Sequence, residues 1–432
     1  MNHINRRVFL STAAQSAAGL GVVAGCNSRQ STGPDVRPPS APQGLTSIAG
    51  DQQVELTWLP HQHTDITGAP SERAIRYHIY RDSVKITHEP LSDPTYIDVA
   101  VQNGTQYRYY IKAVDDNGNE SPASPIISAE PTAVFSKIYR VTDANASSGR
   151  TLNGEVVKSM LHSAVRAMSG STELAAAYES LFPGLSATST IAVKINCLAG
   201  NTTRGLCTHP QVVDALIDGL THMFGGTYPA RNITVFDDRN ESFLTNAGFT
   251  LRDDDAHAKV VTTQNSWGTA THRIGLSSQR LSTIVEQADY LINVPVLKDH
   301  TEAGITFALK NCYGMIDKPA EIHDNKCSPF VAEVYSLVKA KMKLIVGDAI
   351  FGADTGGPST GPKFAANSLL VATDPVAVDV QALRMINDRR TQKISTDSAT
   401  GAARHVAAAS KPPYSLGNAN PDVVDVAVGS SV

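Results

Sequence analysis

The apolar and polar positions of this chain follow two different patterns. Residues 43–132 carry short runs that alternate apolar and polar residues, such as "QVELTWLP" and "RYHIYRD", with turn residues between them. Alternation with a period of two is typical of half-buried strands. The pattern therefore predicts a small all-β domain over residues 43–132, with Trp58 facing inward.

From residue 136 onward, strand-like apolar runs such as "TIAVKIN" alternate with segments of helical period such as "HPQVVDALIDGLTHMF". Strands that alternate with helices indicate an α/β domain. The pattern predicts a mostly parallel sheet with helices on both faces, over residues 137–428. A segment of this length is sufficient to bury a large core.

The first 42 residues show neither pattern. "NRRVFLS" places Arg6 and Arg7 before an uncharged run that ends in "VVAGC" at Cys26. This is similar to a twin-arginine export signal with a lipoprotein processing box, and the run is too short and too rich in Gly and Ala to span a bilayer. We expect residues 1–26 to be the signal and residues 27–42, which are Pro/Ser-rich, to be a linker. The expected location is the periplasm or the cell surface, with a lipid on Cys26 as the membrane anchor.

The all-β segment resembles a fibronectin type III domain in "VELTW", "YHIYRD", "NGTQYRYYIKAVD" and "GNES". Tyr107 stands where that fold places its tyrosine corner. No cluster of catalytic residue types occurs in the segment. We expect a spacer or an adhesive module that contacts an envelope polymer or protein, with His61 and His63 solvated in a loop.

Composition and charge narrow the classes of protein to which this chain could belong. Of the 432 residues, 41% are hydrophobic and 18% are charged, which predicts packed globular domains rather than disorder. The formal net charge is −4 and no basic patch stands out. Nucleic acid is therefore not an expected partner.

Polar side chains follow five of the predicted strands of the α/β domain. In open α/β sheets, ligands bind outside the carboxyl ends of the strands. A single polar end is ordinary helix capping, as for Asp374 before Pro375, but five together predict a cleft. The polar ends are Cys197 with "CTHP", residues 237–239, residues 298–300, Asp348, and Asp374.

Three lysines would make this cleft electropositive, namely Lys194, Lys298 and Lys310. Lysines in a partly buried cleft bind anions, or have a lowered pKa suited to base or Schiff-base chemistry. In the alternative, their stems cover apolar surface and their amines reach water. We expect Lys298 and Lys310 to hold or polarise a small anionic substrate, with His300 or His209 as general acid–base or ligand.

The sequence does not identify a cofactor; the candidates are a divalent metal and, as an alternative, an iron–sulfur cluster. Nitrogen and oxygen ligands suit a hard or borderline metal, and the candidate ligands are Asp237, Asp348, Asp374 and His323. The other residues expected to contact a cofactor are Lys194, Asn196, Asn311, Cys197 and Cys327. The Gly-rich stretch "FGADTGGPSTGP" lacks the lysine of a phosphate loop, and we expect it to be a mobile loop over the cleft.

Apart from Cys26, the cysteines are Cys197, Cys207, Cys312 and Cys327. Three interpretations remain open. Disulfides between Cys197 and Cys207 and between Cys312 and Cys327 would close short loops. Four thiolates would bind a metal or a cluster, although no CxxC spacing is present. The third interpretation is four free buried thiols.

Several longer segments resemble the exported branch of the family known as domain of unknown function 362, over residues 137–428. They include "THPQVVDALIDGL", "ITVFDDR", "ADYLINVPVLKDHTEAGITFALKNCYG" and "LLVATDPVAVDVQALRMI". The activity of that family is poorly defined, so the resemblance implies an architecture and a site position rather than a reaction. Many members carry a ferredoxin-like run of cysteines that this chain lacks, so electron transfer through appended ferredoxin clusters is not implied.

These observations predict an exported lipoprotein enzyme in which a β-sandwich spacer precedes an α/β domain with a Lys/His/Asp cleft. Two other classes remain open. One is a redox or electron-transfer protein that uses the four cysteines. The other is a non-catalytic cell-surface binding protein.

Overall fold

The computed structural model describes residues 36, 38–60, 75–202, 205–263 and 266–429. The predicted signal with Cys26, most of the predicted linker, and His61 and His63 lie outside the described residues. Within the described residues, no helix is long and apolar enough to cross a membrane.

An all-β module comes first, as expected. Its strands form one sheet in the order β1-β2-β5 and a second in the order β4-β3-β6-β7. The strands are β1 (Thr46–Gly50), β2 (Gln53–Thr57), β3 (Arg76–Arg81), β4 (Val84–Lys85), β5 (Thr95–Asp98), β6 (Tyr107–Val114) and β7 (Ile127–Ala129).

Two predicted details of this module are present. Trp58 is buried and packs edge-on against Tyr77, with ring centroids 5.1 Å apart. The backbone N–H of Gln102 donates to the hydroxyl of Tyr107 at 2.9 Å, which is the bond that a tyrosine corner makes. Alternate residues of β2 and β6, such as Leu56 and Ile111, are fully buried, because successive side chains of a strand point to opposite faces.

The α/β domain follows. Its strands are β8 (Ser136–Thr142), β9 (Ser147–Ser148), β10 (Thr151–Leu152), β11 (Ile191–Lys194), β12 (Ile233–Asp237), β13 (Lys259–Thr262), β14 (His272–Ile274), β15 (Ser277–Gln279), β16 (Tyr290–Asn293), β17 (Val296–His300), β18 (Gly304–Thr306), β19 (Met342–Ala353), β20 (Phe364–Ala372) and β21 (Pro421–Val426).

The helices of the same domain are α1 (Gly154–Ser169), α2 (Leu174–Glu179), α3 (Pro210–Thr221), α4 (Met223–Gly226), α5 (Glu241–Asn246), α6 (Thr283–Gln287), α7 (Ala308–Asn311), α8 (Phe330–Val338), α9 (Pro375–Asn387) and α10 (Arg404–Ser410). A 3₁₀ turn (Cys312–Met315) continues α7, and a second (Pro319–Ile322) precedes His323.

Most strands of the main sheet run in the same direction, as predicted, but the sheet is mixed because β18 and β20 run antiparallel to their neighbours. Its order is β13-β12-β11-β16-β19-β20-β8-β21, and the run from β13 to β19 is parallel. β20 runs antiparallel to both β19 and β8, whereas β21 runs parallel to β8. The sequence pattern marked β20 as a strand but carried no signal for its direction.

Helices cover both faces of the sheet, as predicted. Val193 and Ile292 belong to the apolar core that α1 and α3 share, while their neighbours Ala192 and Leu291 belong to the core that α8 and α9 share. Side chains alternate along a strand, so each strand of the parallel half contributes to both cores.

The strand β8 is held between segments that are distant in sequence. Ser368 of β20 lies opposite Thr142 of β8, and the hydroxyls of the two are 2.7 Å apart. On the other side, Arg140 donates to Asp425 of β21 at 2.6 Å. The apolar residues Ile138 and Val141 are fully buried by this arrangement.

The antiparallel direction of β20 makes one site prediction wrong. Asp374 follows β20, so it lies at the edge of the sheet opposite to the carboxyl ends of the parallel strands. There it caps α9, accepting from the backbone N–H groups of Val376 and Ala377 at 2.8 and 2.9 Å. Its other carboxylate oxygen accepts from the hydroxyl of Ser136 at 2.6 Å. Asp374 is therefore a helix cap and not part of the cleft.

Residues 298–300 were expected beyond a strand end, but they lie inside a second strand. β16 ends at Asn293, and after Pro295 the chain forms β17, which pairs with β19 and forms a hairpin with β18. Lys298 faces Thr306 in this hairpin. Asp348 likewise lies within β19 rather than at its end, opposite Val296. The strand pairing of β17 and β19 therefore determines the positions of Lys298 and Asp348.

Candidate functional site

A cavity of about 340 Å³ opens beyond the carboxyl ends of β11 and β12. Lys194 and Asp237 are the last residues of these two strands. The charged and polar side chains that line the cavity include Lys194, Asn196, Asp237, His300, Thr306 and Lys310. Lys194, Asn196, His300, Lys310 and Asn311, which the sequence predicted in one cleft, all line this cavity.

Lys310 is the most unusual of these groups. Its side chain ends 3.5 Å from the centroid of the Tyr313 ring, and Nζ lies 3.2 Å from Nε2 of His323. Within the described residues, no carboxylate lies within ion-pair distance of this amine. Burial lowers the pKa of Lys310 to about 8. It is a buried cation that the described protein does not neutralise.

His323 is held in one tautomer. Its Nδ1 lies 2.7 Å from the carbonyl oxygen of Pro319. A carbonyl only accepts, so Nδ1 carries the proton and Nε2 is left as an acceptor for Lys310. Burial, and then the nearby Lys310 ammonium, lower the pKa of His323. The ring therefore remains neutral and accepts a hydrogen bond from the amine.

His300 is held in the opposite tautomer. Its Nδ1 accepts from the backbone N–H groups of Glu302 and Ala303 at 3.0 and 3.1 Å. A neutral ring that accepts at Nδ1 carries its proton on Nε2. Burial, followed by the Lys310 charge, lowers the pKa of His300 to about 3. His300 therefore acts as a neutral hydrogen-bond donor, whereas the sequence suggested an acid–base group or a ligand.

Thr306 provides a second donor that the sequence did not reveal. Its side chain is 3% exposed and lines the cavity. Within the described part of the chain, Oγ1 has no hydrogen-bond partner. Buried hydroxyls are almost always hydrogen-bonded, so this group marks a position where a ligand atom would be stabilised. The available signal was positional, because Thr306 lies four residues before Lys310 in "ITFALK".

The acidic residues of the cavity already have partners. Lys194 Nζ donates to Asp237 Oδ2 at 3.0 Å, and the same oxygen accepts from the backbone N–H of Cys197 at 3.0 Å. Burial opposes ionisation of Asp237, but the Lys194 ammonium outweighs it, and the pKa of Asp237 is lowered. Asp238 pairs with Arg239, whose Nε donates to it at 3.1 Å. Each of these two ion pairs is neutral in itself, so the positive charge of Lys310 is the one left without a partner among these groups.

Lys298 lies behind the cavity wall. Its Nζ donates to Asn196 Oδ1 at 2.7 Å, and burial lowers the pKa of Lys298 to about 8. From there the asparagines form a chain, in which Asn196 donates to Asn311 at 2.9 Å and Asn311 to Asn293 at 2.7 Å. Asn293 ends the chain by donating to the carbonyl of Ala308 at 2.7 Å. Lys298 thus orients the cavity wall and does not line the cavity.

His209 forms a separate pair with Asp348. His209 Nδ1 lies 2.7 Å from Asp348 Oδ2, and its backbone N–H donates to the same oxygen at 2.8 Å. Burial opposes protonation of His209, but Asp348 outweighs it, and the pKa of His209 is raised. Neither residue is among those that line the cavity. The expected joint action of His209 with Lys310 on one substrate is therefore not supported by their positions.

The predicted metal ligands are not brought together. Asp237 is engaged by Lys194, Asp348 by His209, and Asp374 lies at the opposite edge of the sheet. His323 turns its acceptor nitrogen to Lys310. Across the residues that the structure describes, no group of three or more His, Cys, Asp or Glu side chains is arranged to hold a metal ion. The described structure therefore does not support a metal site built from these four residues.

The four cysteines that the structure describes are buried free thiols, so the two disulfides considered from the sequence are not formed. Cys197 and Cys207 lie within hydrogen-bond reach of each other. Cys312 donates to the carbonyl of Ala308, and Cys327 to that of His323, each at 3.8 Å. The thiols do not converge as a four-thiolate cluster would require.

The Gly-rich loop between β19 and β20 does lie at the cavity, where Pro358 and Ser359 line the wall. It is anchored by Asp299, which accepts from the N–H of Gly357 at 2.8 Å, and by the hydroxyl of Thr301, which donates to the carbonyl of Gly357 at 2.7 Å. A Cβ at position 357 would lie 2.0 Å from the carbonyl oxygen of Asp299, so only glycine fits there.

Residues 191–384 match the model of the family described as "Domain of unknown function (DUF362)". All the cavity residues named above fall inside this range.

Among proteins of known name, the Amylopullulanase of Thermoanaerobacter thermohydrosulfuricus is 32% identical over 105 residues, which cover 23% of this chain and 6% of that enzyme. Chitinase Chi52 of Paenibacillus xylanexedens is 36% identical over 96 residues, covering 22% of this chain and 17% of the chitinase. This chain therefore spans a small part of the length of both enzymes. Among solved structures, an Fn3-like protein from Clostridium thermocellum matches with a TM-score of 0.18 and 21% identity, covering 22% of this chain and 96% of that one.

Proposed function

We propose that this chain is an enzyme that binds a small anionic substrate in the cavity of Lys310. The observation that carries the proposal is the buried amine of Lys310, which has no carboxylate partner among the described residues. A buried charge is costly unless an opposite charge or strong hydrogen bonds accompany it. A bound anion would supply that partner, so the ligand-free site is prepared for one.

Two further donors support an anion at this position. The Nε2–H of His300 and the hydroxyl of Thr306 belong to side chains that line the same cavity. Neither group has a partner within the described residues. Hydrogen bonds from such groups to a carboxylate or phosphate are stronger than neutral ones, because the acceptor is charged. A cation and two neutral donors form the usual composition of a site for a small oxyanion.

The size of the cavity limits the substrate. Ligand pockets are typically about 300–1,000 Å³, and this cavity of about 340 Å³ lies at the lower end. The substrate class that fits is a small organic acid or a small phosphate ester.

Catalysis rather than simple binding is supported by the amine itself. A lysine with a pKa of about 8 is partly neutral at physiological pH, and perturbed groups in a cleft are typical of active sites. His323 Nε2 is positioned 3.2 Å away to accept its proton. Lys310 can therefore act as a base or a nucleophile as well as a cation.

We also propose that the protein is exported by the twin-arginine route and anchored by a lipid on Cys26, with a fibronectin type III-like spacer before the catalytic domain. Support comes from Arg6, Arg7 and the "VVAGC" stretch, and from the tyrosine corner at Tyr107. The substitution Cys26→Ser should move the protein from the membrane fraction to the soluble fraction. Membrane retention of that variant would refute the lipid anchor.

Binding is tested by thermal shift and calorimetry with acetate, malonate, pyruvate and inorganic phosphate. At least one of these anions should raise the Tm of the wild type. Lys310→Met should abolish the shift, whereas Lys339→Met, the same change at an exposed position, should retain it. If none of the anions stabilises the wild type, or if both variants respond equally, the proposed site is refuted.

A further inference from the structure

We propose that Lys310 is a nucleophile that condenses with the carbonyl group of a small oxo-carboxylate to form a protonated imine. This inference rests on the proposed function, because it names the substrate class and the reaction of the same cavity. It assigns to Lys310 a covalent role in addition to its charge.

Lys310 differs from Lys194, which lines the same cavity. The Nζ of Lys194 donates to Asp237 at 3.0 Å and to the carbonyl of Ile195 at 2.5 Å, so its ammonium is held by strong acceptors. The Nζ of Lys310 faces an imidazole nitrogen and an aromatic ring instead. A permanent carboxylate partner from the protein, such as Asp237 beside Lys194, would stabilise the ammonium and suppress nucleophilicity. Burial without a carboxylate partner makes the neutral amine, which is the reactive form, more accessible at Lys310.

His323 and His300 have complementary proton states around this amine. His323 presents an acceptor nitrogen at 3.2 Å, because its Nδ1–H is engaged by Pro319. His300 presents an N–H, because its Nδ1 is engaged by two backbone donors. Tautomers fixed by a second hydrogen bond are a common way to define proton transfer. One ring can remove the proton of the amine, while the other can donate to the carbonyl oxygen of the substrate.

The reaction balances without an added reagent. The lone pair of Lys310 Nζ attacks the carbonyl carbon, and the new C–N bond forms as the C–O double bond opens. The C–O bond then breaks, and the oxygen leaves as water. The ammonium supplies both protons of that water, with His323 as the relay. The product iminium keeps one proton and one positive charge, and nothing is oxidised or reduced.

We propose a carboxylate substrate because the positive charge at Lys310 is the same before and after the imine forms. The ammonium and the iminium each carry one positive charge at the same place, so a carboxylate next to the carbonyl remains paired throughout. Thr306 and His300 add two donors for its oxygens, or for the oxygen that becomes water. A neutral aldehyde or ketone would leave the excess charge of the cavity uncompensated.

The test is reductive trapping on the full chain. Pyruvate or glyoxylate is added with cyanoborohydride, and the product is examined by intact mass and by tryptic mapping. One reduced adduct is expected, located at Lys310. Because trypsin does not cut after an alkylated lysine, the adduct should appear in a peptide that begins at Asp299 and continues past Lys310. Excess malonate, which has no ketone or aldehyde group, should compete and reduce the labelling.

Lys310→Arg separates the imine from the anion site. Arginine keeps the charge but does not form this imine, so the variant should retain the thermal shift with malonate and lose the adduct. Lys339→Met should be labelled at Lys310 like the wild type. Circular dichroism of Lys310→Arg establishes that loss of labelling is not loss of fold.

Three results would overturn the inference. If malonate stabilises the protein but no adduct forms at Lys310, the imine is refuted while the anion site stands. If no anion binds and no adduct forms, both proposals fail. If labelling is spread over exposed lysines, including Lys339, at rates similar to that of Lys310, the amine has no special reactivity and the inference is again refuted.

Discussion

The amine of Lys310 lies 3.2 Å from Nε2 of His323, and the imidazole can only accept there because its other nitrogen donates to Pro319. This contact joins a buried cation to a neutral acceptor instead of to a carboxylate. It makes the protonation state of the site sensitive to pH near neutrality, and the first prediction concerns that sensitivity.

Anion affinity should fall as the pH rises through about 8. Below that value Lys310 is charged and pairs with the anion, and above it the amine is neutral, because burial lowers its pKa to about 8. The dissociation constant for malonate should increase by up to about tenfold per pH unit above that point. Calorimetry between pH 6.5 and 9.5 measures it. The titratable groups around the amine are His300, His323, His405, Asp238, Cys327 and Tyr313.

Lys310→Arg is the control for this pH profile, because arginine stays charged throughout the range. Its affinity should be nearly constant from pH 7 to 9.5. A wild-type affinity that does not change over the same interval would contradict the assignment of the excess charge to Lys310.

Thr306→Val should weaken anion binding without destabilising the fold. Valine removes a hydroxyl that has no hydrogen-bond partner within the described residues, so the ligand-free protein should be equally stable or more stable by about 1 kcal/mol. The bound anion loses one hydrogen bond, and affinity should fall by about tenfold. Urea denaturation and calorimetry measure the two effects. A large loss of stability would indicate that Thr306 has a structural bond instead.

Asn311→Leu should destabilise the domain by about 2–6 kcal/mol. The substitution leaves the amide N–H of Asn196 and the amide oxygen of Asn293 buried without their present partner, and each unsatisfied group costs about 1–3 kcal/mol. Chemical denaturation gives the value. Asn246→Leu is a suitable comparison, because within the described residues the side chain of Asn246 makes one hydrogen bond, to the carbonyl of Gly200 at 3.0 Å. If the two substitutions lower the free energy of unfolding equally, the asparagine chain does not stabilise the domain more than a single side-chain hydrogen bond does.

Asp374→Ala should reduce stability but leave anion binding unchanged. The carboxylate caps α9 and also binds Ser136, so its loss should cost about 1–2 kcal/mol. Its distance from the cavity follows from the antiparallel direction of β20. Thermal unfolding with and without malonate tests both parts. A loss of malonate affinity comparable to that of Lys310→Met would place Asp374 in the site after all.

Much of the cavity was accessible from sequence because its residues follow local apolar runs. Lys194 and Asp237 end β11 and β12, and the strand-end rule for α/β sheets predicts that such residues meet. Lys310 and Asn311 were found in the same way, at the end of an apolar segment. In these cases, both the periodicity of the apolar residues and the residue at which the strand or helix ends are determined by the local sequence.

The remaining features depend on contacts between distant segments. The direction of β20 decides the position of Asp374, and β20 pairs antiparallel both with β19 and with β8, which lies more than two hundred residues earlier. The tautomers of His300 and His323 depend on which backbone groups surround each ring. Asn293 was not predicted from the sequence because it lies within an apolar run. Its role as the acceptor for Asn311 is visible only in the folded structure. No local pattern contains this information.

The position of β8 has a consequence for the synthesis of the protein. Thr142 and Ser368 are 226 residues apart, and Arg140 and Asp425 are 285 residues apart, so β8 leaves the ribosome long before either of its neighbours exists. Until then, the apolar side chains of Ile138 and Val141 have no sheet to cover them. The domain must therefore complete its folding late, and the nascent chain that waits for β20 and β21 is the species most in need of a chaperone.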